Sequence, residues 1–291
     1  MWGRCVPKKI FVKSATANGV MVKSATANCG NGGLGKYAIQ QFVDIITDNK
    51  TANETSKPLD ALIINCQEAR FADIKKELEQ MGLDGYVVTQ VGGMETGTKP
   101  IEHLPDWLSR LNGPSGLVTF IVHKTTLTVD PTLPIIEARR SQSKKLNPRG
   151  YNKGGQIGRV TITKPDLLSN NKAEIDLISA HYESKNVVKR SFDHKNVYQQ
   201  HQALINQKWS DAKAETTGKS DFDCLCDAIP NQLFYGADTN VRNQYKGDET
   251  SDIWQDNDIL ELQLLKYLPL ANKQFTGKNT YKNMLLAKNN R

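Results

Sequence analysis

The segment LDALIINCQE, residues Leu59–Glu68, is an apolar run that ends in an amide and a carboxylate. Its first eight residues, Leu59–Cys66, are typical of a buried strand. A carboxylate directly after such a strand, here Glu68, is costly to bury unless it binds a cation or another partner. The segment therefore predicts a sheet core with a reactive group at the end of one strand.

Further strands and helices alternate imperfectly around this segment. Helical spacing of apolar residues predicts helices over Tyr37–Asp48, Ala72–Met81, Val187–Trp209 and Ser251–Tyr267. Short apolar runs predict strands over Gly85–Val91, Gly116–His123, Gln156–Thr163, Ile175–His181 and Asn231–Tyr235. Several strands follow one another directly, which indicates layered α/β sheets rather than a simple doubly wound fold. No linker is long enough to divide the chain, so we expect one domain over residues 1–291.

A direct repeat precedes the first predicted helix, because VKSATAN occurs at Val12–Asn18 and again at Val22–Asn28. Two copies with a period of ten residues do not make a solenoid, so we interpret one copy as a strand and the other as a local duplication that can pair with it. The next segment, Gly30–Lys36, fits the phosphate-loop pattern G-x-x-x-x-G-K. Tyr37 stands where that loop needs Ser or Thr to hold magnesium, and we interpret the segment as a glycine-rich turn from strand to helix.

Composition restricts the class of protein. The hydrophobic fraction of 38% and the charged fraction of 24% support a packed core and argue against global disorder. No apolar run reaches the length of a membrane-spanning helix, and no apolar segment typical of a signal peptide opens the chain. The C-x-C pair Cys224 and Cys226 is a poor zinc signature. We therefore expect reduced thiols and a cytoplasmic location.

The basic residues are unevenly distributed. The formal net charge is +7, and the stretch Ala138–Pro165 contains basic residues but no acidic ones. Such a block is either a solvated surface or a contact region for an anionic partner. Nucleic acid, a phosphorylated metabolite and an anionic membrane surface all remain open as that partner.

Polar side chains follow several of the predicted strands: Asn28, Glu68, His181 and the pair Asp238 and Asn240. Strand ends hold side chains rigidly and open them to solvent. Magnesium binds one or two carboxylates together with substrate phosphate oxygens. Within such a set Asp238 can act as a general base on water, with Asn240 orienting it, and His181 can stabilise charge on a phosphate. Each residue alone also has an ordinary structural explanation as a turn, a core histidine or a helix cap.

At these residues the chain resembles the endonuclease/exonuclease/phosphatase superfamily. The matching pieces, in family order, are Thr26–Asn28, Cys66–Glu68, Ser179–Glu183 and Phe234–Arg242. The resemblance implies a four-layered α/β/β/α sandwich of the DNase I type and dependence on Mg²⁺. Within the superfamily the chain looks most like the inositol polyphosphate 5-phosphatases, on the strength of Asn152–Gly155 (NKGG), Asp238–Arg242 (DTNVR) and Thr280–Lys282 (TYK).

The resemblance also implies roles for the residues around the reacting phosphate. Glu68 would be the main magnesium ligand, and Asn28 would support the metal and its waters. Asp238 would activate the attacking water. Asn240 and His181 would both contact the scissile phosphate.

Basic residues would bind the rest of the substrate. Lys153, from the NKGG match, would contact the phosphates that are not cleaved. Lys189 and Arg190 would assist it, and Arg242 closes the DTNVR match. An inositol ring with several phosphates needs clustered cations of this kind.

The chain departs from the family pattern in three places. Ala237 stands where the family has glycine before the aspartate, and the duplication offers Asn18 as well as Asn28 for the asparagine on the metal side. We choose Asn28 because its spacing to Glu68 fits better. The family's Asp-Arg and terminal Asp-His motifs would follow the TYK match, where the sequence reaches Arg291. The expectation is therefore either a C-terminally truncated enzyme or a degenerate, weakly active or inactive one.

Three functions follow from these observations. The first is a Mg²⁺-dependent phosphoric monoester hydrolase that removes the 5-phosphate from phosphoinositides or inositol polyphosphates. The second is a DNase I-like nuclease, which the basic surface suits equally well. The third is a non-catalytic binder of anionic phosphoinositide membranes, which would place the chain peripherally at a membrane surface.

Overall fold

The computed structural model describes residues 11–17, 19–47, 58–95, 115–131, 136–139, 153–165, 170–182, 187–215 and 218–238. Its helices are α1 (Gly35–Thr47), α2 (Phe71–Glu79), α3 (Val187–Glu215) and α4 (Asp221–Ala228). Its strands are β1 (Phe11–Ala17), β2 (Val20–Gly32), β3 (Ala61–Arg70), β4 (Tyr86–Glu95), β5 (Ser115–Lys124), β6 (Thr128–Pro131), β7 (Ile136–Arg139), β8 (Gly154–Pro165), β9 (Asn170–His181) and β10 (Gln232–Asp238). The helix predicted over Ser251–Tyr267 lies outside the described residues.

The strands form two mixed sheets. The first sheet has the order β1-β2-β3-β5-β4, in which β2 and β3 are parallel and the other neighbours are antiparallel. The second sheet has the order β10-β9-β8-β6, with β10 and β9 parallel and with β7 also paired to β8. The two copies of the duplicated heptad pair with each other, because β1 and β2 form the antiparallel hairpin that opens the first sheet.

Successive side chains of a strand point to opposite faces of its sheet. The apolar core is therefore divided into three clusters, one at each boundary between layers. One face of the first sheet packs on α1 and α2 through residues such as Ile64 and Phe42. Its other face packs on the second sheet, where Ile63 and Ile175 belong to the same cluster. The outer face of the second sheet packs on α3 through Ile178 and Val197. The predicted four-layered α/β/β/α sandwich is confirmed.

Three elements were not predicted from the sequence. Strand β6 has mostly exposed side chains and no apolar run, and β7 has only four residues. Helix α4 begins at the N-cap Ser220, whose hydroxyl accepts a hydrogen bond from the Asp223 backbone N–H. The S-x-x-D spacing that makes this cap is a recognisable helix start in the sequence. None of the described helices is both long and apolar enough to cross a bilayer.

The space between the sheets changes from apolar to polar along the strands. Phe234 and Ile175 occupy its apolar part. Toward the carboxyl ends of β2, β3, β9 and β10 the strand registers align a set of small and polar residues that we call the polar row: Thr26, Asn65 and Thr119 in the first sheet, and Gly236, Ser179 and Gln156 in the second. The Thr26 and Asn65 side chains pack directly against the Gly236 backbone, because a Cβ on Gly236 would lie 2.8 Å from Asn65 Nδ2 and closer still to Thr26 Oγ1.

A buried aspartate joins the two sheets at the opposite end of the sandwich. Asp60 is 2% exposed and accepts hydrogen bonds from Lys124 of the first sheet and Lys164 of the second, both at 2.8 Å. The Met21 backbone N–H donates a third, at 2.9 Å. Burial by itself raises the pKa of Asp60, but these hydrogen bonds outweigh it and hold the pKa below its ordinary value.

A second buried charge network fastens α3 and α4 to the second sheet. Arg159 Nε donates to Asp176 at 2.6 Å, and Arg159 Nη2 donates to the Ala228 carbonyl at 2.8 Å. His201 Nε2 lies 2.8 Å from the same carboxylate. The side chains of Arg159 and Asp176 are both completely buried, so each depends on the other to offset its desolvation.

Replacing Asp176 with asparagine should lower the free energy of unfolding by about 3–5 kcal/mol, because the buried Arg159 charge would lose its counter-charge. The control is Glu79→Ala, which removes an exposed ion pair with Lys75 and should cost less than about 1 kcal/mol. Urea unfolding followed by circular dichroism measures both. Equal small losses in the two variants would contradict a stabilising role for the network.

Asp60→Asn should destabilise the protein at neutral pH and match the wild type in strong acid. The folded-state pKa of Asp60 is lowered, so its contribution is present above the unfolded-state pKa and disappears as pH falls through the folded-state value. Urea unfolding of both proteins from pH 7 to below about pH 4 gives the comparison. A difference that stays constant across this range would show that the ionised carboxylate contributes nothing.

Candidate metal centre

Two pairs of parallel strands bring four polar side chains together at one rim of the sandwich. Asn28 and Glu68 come from β2 and β3 of the first sheet, and His181 and Asp238 end β9 and β10 of the second. The ligand atoms of Glu68, His181 and Asp238 all lie within 4.8 Å of one another. Within the described ranges this is the only set of three or more His, Cys, Asp or Glu residues that is arranged to hold a metal ion.

Glu68 reaches the cluster through a bulge. Alternation along β3 would place it on the face of Leu62, Ile64 and Cys66, which packs on the helices. The register of β3 against β5 shifts between Cys66 and Ala69, and Glu68 adopts a left-handed φ of 49°. Its Oε1 atom consequently lies 3.4 Å from His181 Nε2 of the other sheet. The sequence-based placement of Glu68 just after the strand was wrong in detail, because β3 continues through the bulge to Arg70.

Asn28 also lies within its strand rather than after it. Both the nitrogen and the oxygen of its side-chain amide form hydrogen bonds. The Nδ2 atom donates to Asp238 Oδ2 at 2.6 Å, and the Oδ1 atom accepts from the Gly30 backbone N–H at 3.0 Å. Asn28 therefore fixes one oxygen of Asp238 from across the sandwich. Of the two asparagines offered by the duplication, Asn28 is the one at the cluster, while Asn18 lies outside the described residues.

His181 is the most deeply buried residue of the cluster. The His181 side chain is 4% exposed, whereas those of Glu68 and Asp238 are 32% and 25% exposed. Lys153 lies beside the ring, with its Nζ atom 3.1 Å from Nδ1 and 2.5 Å from Nε2. The carboxylates therefore face solvent above an imidazole, with one ammonium group at the side.

Burial raises the pKa of Glu68 above its ordinary value. The nearby Lys153 charge lowers the pKa and the Asp238 carboxylate raises it, so the two neighbours oppose each other. Without an added cation, the ionised form of Glu68 is thus disfavoured in the folded protein. A divalent cation between the carboxylates would remove this penalty.

The donor set fits a divalent cation. Carboxylate oxygens suit Mg²⁺, Ca²⁺ and Mn²⁺, while an imidazole nitrogen is more common around Mn²⁺, Fe²⁺ or Zn²⁺. Two carboxylates outweigh the single ammonium of Lys153, so the local charge remains favourable for a cation. Glu68 and Asp238 can ligate the ion from opposite sheets, and His181 can serve as a third ligand or face a bound anion.

The remaining predicted site residues are described only in part or not at all. Lys189 and Arg190 lie in the first turn of α3, where only the backbone is described. Asn240 and Arg242 follow β10 and lie outside the described residues. The roles assigned to all of these residues therefore stay predictions.

The glycine-rich turn before α1 binds an internal carboxylate. Glu77 of α2 accepts hydrogen bonds from the backbone N–H groups of Leu34, at 2.5 Å, and Gly35, at 3.3 Å. These are the N–H groups at the start of α1 that a phosphate loop would direct at its ligand. The interpretation of Gly30–Lys36 as a structural turn is consistent with this arrangement.

No protein-family model and no curated protein matches the chain. Among solved structures, an endonuclease/exonuclease/phosphatase family protein from Bacteroides thetaiotaomicron is 14% identical, with a TM-score of 0.37 over 82% of this chain and 67% of that one. The human Nocturnin catalytic domain with bound sulfate is 16% identical, with a TM-score of 0.34 over 65% and 54%. The inositol polyphosphate 5-phosphatase domain of SPsynaptojanin, in complex with inositol (1,4)-bisphosphate and calcium ion, is 13% identical, with a TM-score of 0.35 over 96% and 65%.

The chain thus spans between about half and two thirds of the length of these three structures.

Mn²⁺ or Mg²⁺ should raise the thermal unfolding temperature of the wild type and leave that of Glu68→Gln almost unchanged, since a ligand that binds only the folded state stabilises it. Without cation, Glu68→Gln should be at least as stable as the wild type, because the ionised carboxylate is disfavoured in the fold. Differential scanning fluorimetry with a cation titration measures both effects. Asp44→Asn, an exposed carboxylate on α1, is the control and should respond to cation like the wild type. A full cation response in Glu68→Gln would exclude this site.

Proposed function

We propose that the chain is a divalent-cation-dependent phosphatase that hydrolyses phosphate monoesters of phosphoinositides or inositol polyphosphates at the 5-position. The observation that carries this proposal is the convergence of Glu68, His181 and Asp238 from two different sheets within 4.8 Å. Two carboxylates above a buried imidazole at an open rim suit attack of water on a phosphate ester. The resemblance at the NKGG match, which includes Lys153, favours the inositol substrate class.

The proposed roles follow from the contacts. A bound Mg²⁺ would supply Lewis-acid stabilisation of the phosphate charge. Asp238 accepts the proton of the attacking water, and the Asn28 hydrogen bond at 2.6 Å keeps its carboxylate oriented for this step. Glu68 provides the main carboxylate for the cation. His181 donates a hydrogen bond to an oxygen of the scissile phosphate.

Lys153 completes the anion-binding part of the proposed site. Its ammonium group lies against the His181 ring at the same rim as the carboxylates. An ammonium here attracts the negative charge of a polyphosphate and offsets the repulsion from Glu68 and Asp238. We infer that Lys189, Arg190, Asn240 and Arg242 extend this surface, as the resemblance implies.

Glu68→Ala and Asp238→Ala should each reduce phosphate release by at least about 100-fold, because each removes a group that acts on the reacting phosphate. A phosphate-release assay across a panel of phosphoinositides and soluble inositol polyphosphates, with and without Mg²⁺, measures this. Asp44→Asn is again the control and should keep wild-type release.

The same preparations should be tested for nicking of supercoiled plasmid and for binding to liposomes that contain phosphoinositides. Plasmid nicking without phosphate release would replace the phosphatase with a nuclease. Liposome binding without Mg²⁺-dependent turnover would indicate the non-catalytic membrane binder. Release that survives both alanine substitutions would contradict the assigned site.

A further inference from the structure

Four buried polar atoms lie beneath the candidate metal centre without a hydrogen-bond partner among the described residues: Asn65 Nδ2, Gln67 Nε2, Ser179 Oγ and Gln156 Oε1. Their residues are at most 3% exposed. Each unpaired buried group costs free energy on the scale of a lost hydrogen bond, and four together would offset a large part of a domain's net stability. A partner for these atoms is therefore required.

The strand registers bring the four residues into one place. Ser179 is the register partner of both Gly236 and Gln156, so these three lie side by side in the second sheet. Asn65 approaches Gly236 from the first sheet, where Thr119 donates a hydrogen bond to its Oδ1 atom at 2.9 Å. Gln67 follows two residues later on the same face of β3. The unpaired atoms thus belong to the polar row and its immediate neighbour.

The chemistry of the four atoms selects the ligand. The two amide nitrogens of Asn65 and Gln67 can only donate, the Gln156 oxygen can only accept, and the Ser179 hydroxyl can do both. A cation is repelled by the two N–H donors, and an anion is repelled by the Gln156 oxygen and by the carboxylates of Glu68 and Asp238 nearby. Water both donates and accepts, and a buried water needs two to four polar partners of this kind.

We propose that the polar row, together with Gln67, is an internal water-binding site that positions the metal centre from below. Gln67 adjoins Glu68 at the bulge, and Ser179 lies two residues before His181 on β9. Water bound between these side chains links Asn65 and Gln67 of the first sheet to Gln156 and Ser179 of the second, next to the residues that carry the cation ligands. Asn65, Gln67, Gln156 and Ser179 are then positioning residues that act through this water.

The inference rests on the proposed function in one respect, because it treats the cation site as the feature that is held in place. The water site itself is independent of catalysis. A high-resolution crystal structure of the full chain should show at least one ordered water within about 2.7–3.2 Å of two or more of the four atoms. Direct pairing of the four side chains with one another, with no water between the sheets, would overturn the proposal.

The variant Ser179→Ala tests whether the water site positions the metal centre. Removing the hydroxyl should weaken Mn²⁺ binding, measured by isothermal titration calorimetry, by about tenfold, the scale expected when a group that orients a metal ligand is lost. The matched control is Ser24→Ala, the same change at a buried serine one row deeper on β2, which should keep Mn²⁺ affinity within about twofold. Equal affinities in both variants would overturn the positioning role.

Gln156→Met provides a second variant that removes the acceptor while nearly keeping the volume, and it is used if Ser179→Ala fails to fold. It should weaken Mn²⁺ binding in the same way, and the bound water should disappear or move in its crystal structure. The outcomes remain distinguishable from those for the proposed function. A chain that binds Mn²⁺ through the water-supported site but releases no phosphate would contradict the phosphatase and leave the water site standing.

Discussion

The repulsion between two carboxylates that approach from opposite sheets is the constraint on which the candidate site depends. Glu68 and Asp238 are held close together at a rim that also contains His181, and burial already disfavours the ionised form of Glu68. The sandwich maintains this arrangement because its other contacts supply the stability that the site lacks. The Asp60 bridges join the sheets at the far end, and the Arg159–Asp176 pair fastens α3 to the second sheet.

The approach of the two sheets determines where the ligands meet. Position 236 has no room for a side chain, because the Thr26 and Asn65 side chains of the first sheet pack against the Gly236 backbone. Two residues further along β10, Asp238 reaches the Asn28 amide. Ala237, between Gly236 and Asp238, points to the opposite face of β10 and packs with the cluster on α3.

Much of this arrangement could be predicted from the sequence, because it depends on local patterns. Apolar runs predicted β3, β5 and β9, and polar residues at their ends suggested a shared site. The bulge at Glu68 could not be predicted, since a left-handed φ at a glutamate has no signature in the sequence. The polar row could not be predicted either, because Asn65 and Ser179 are far apart in the chain and only the strand registers align them. Asn240 and Arg242 lie outside the described residues, and their roles stay predictions.

The central claim is that side chains from the two sheets share one divalent cation. A crystal of the full chain soaked in Mn²⁺, with data collected for anomalous scattering, tests it most directly. The account predicts one strong anomalous peak at about 2.0–2.6 Å from a carboxylate oxygen of Glu68, with Asp238 contacting the ion directly or through one bound water. A peak remote from Glu68 or from Asp238, or no peak at this rim, would contradict the account.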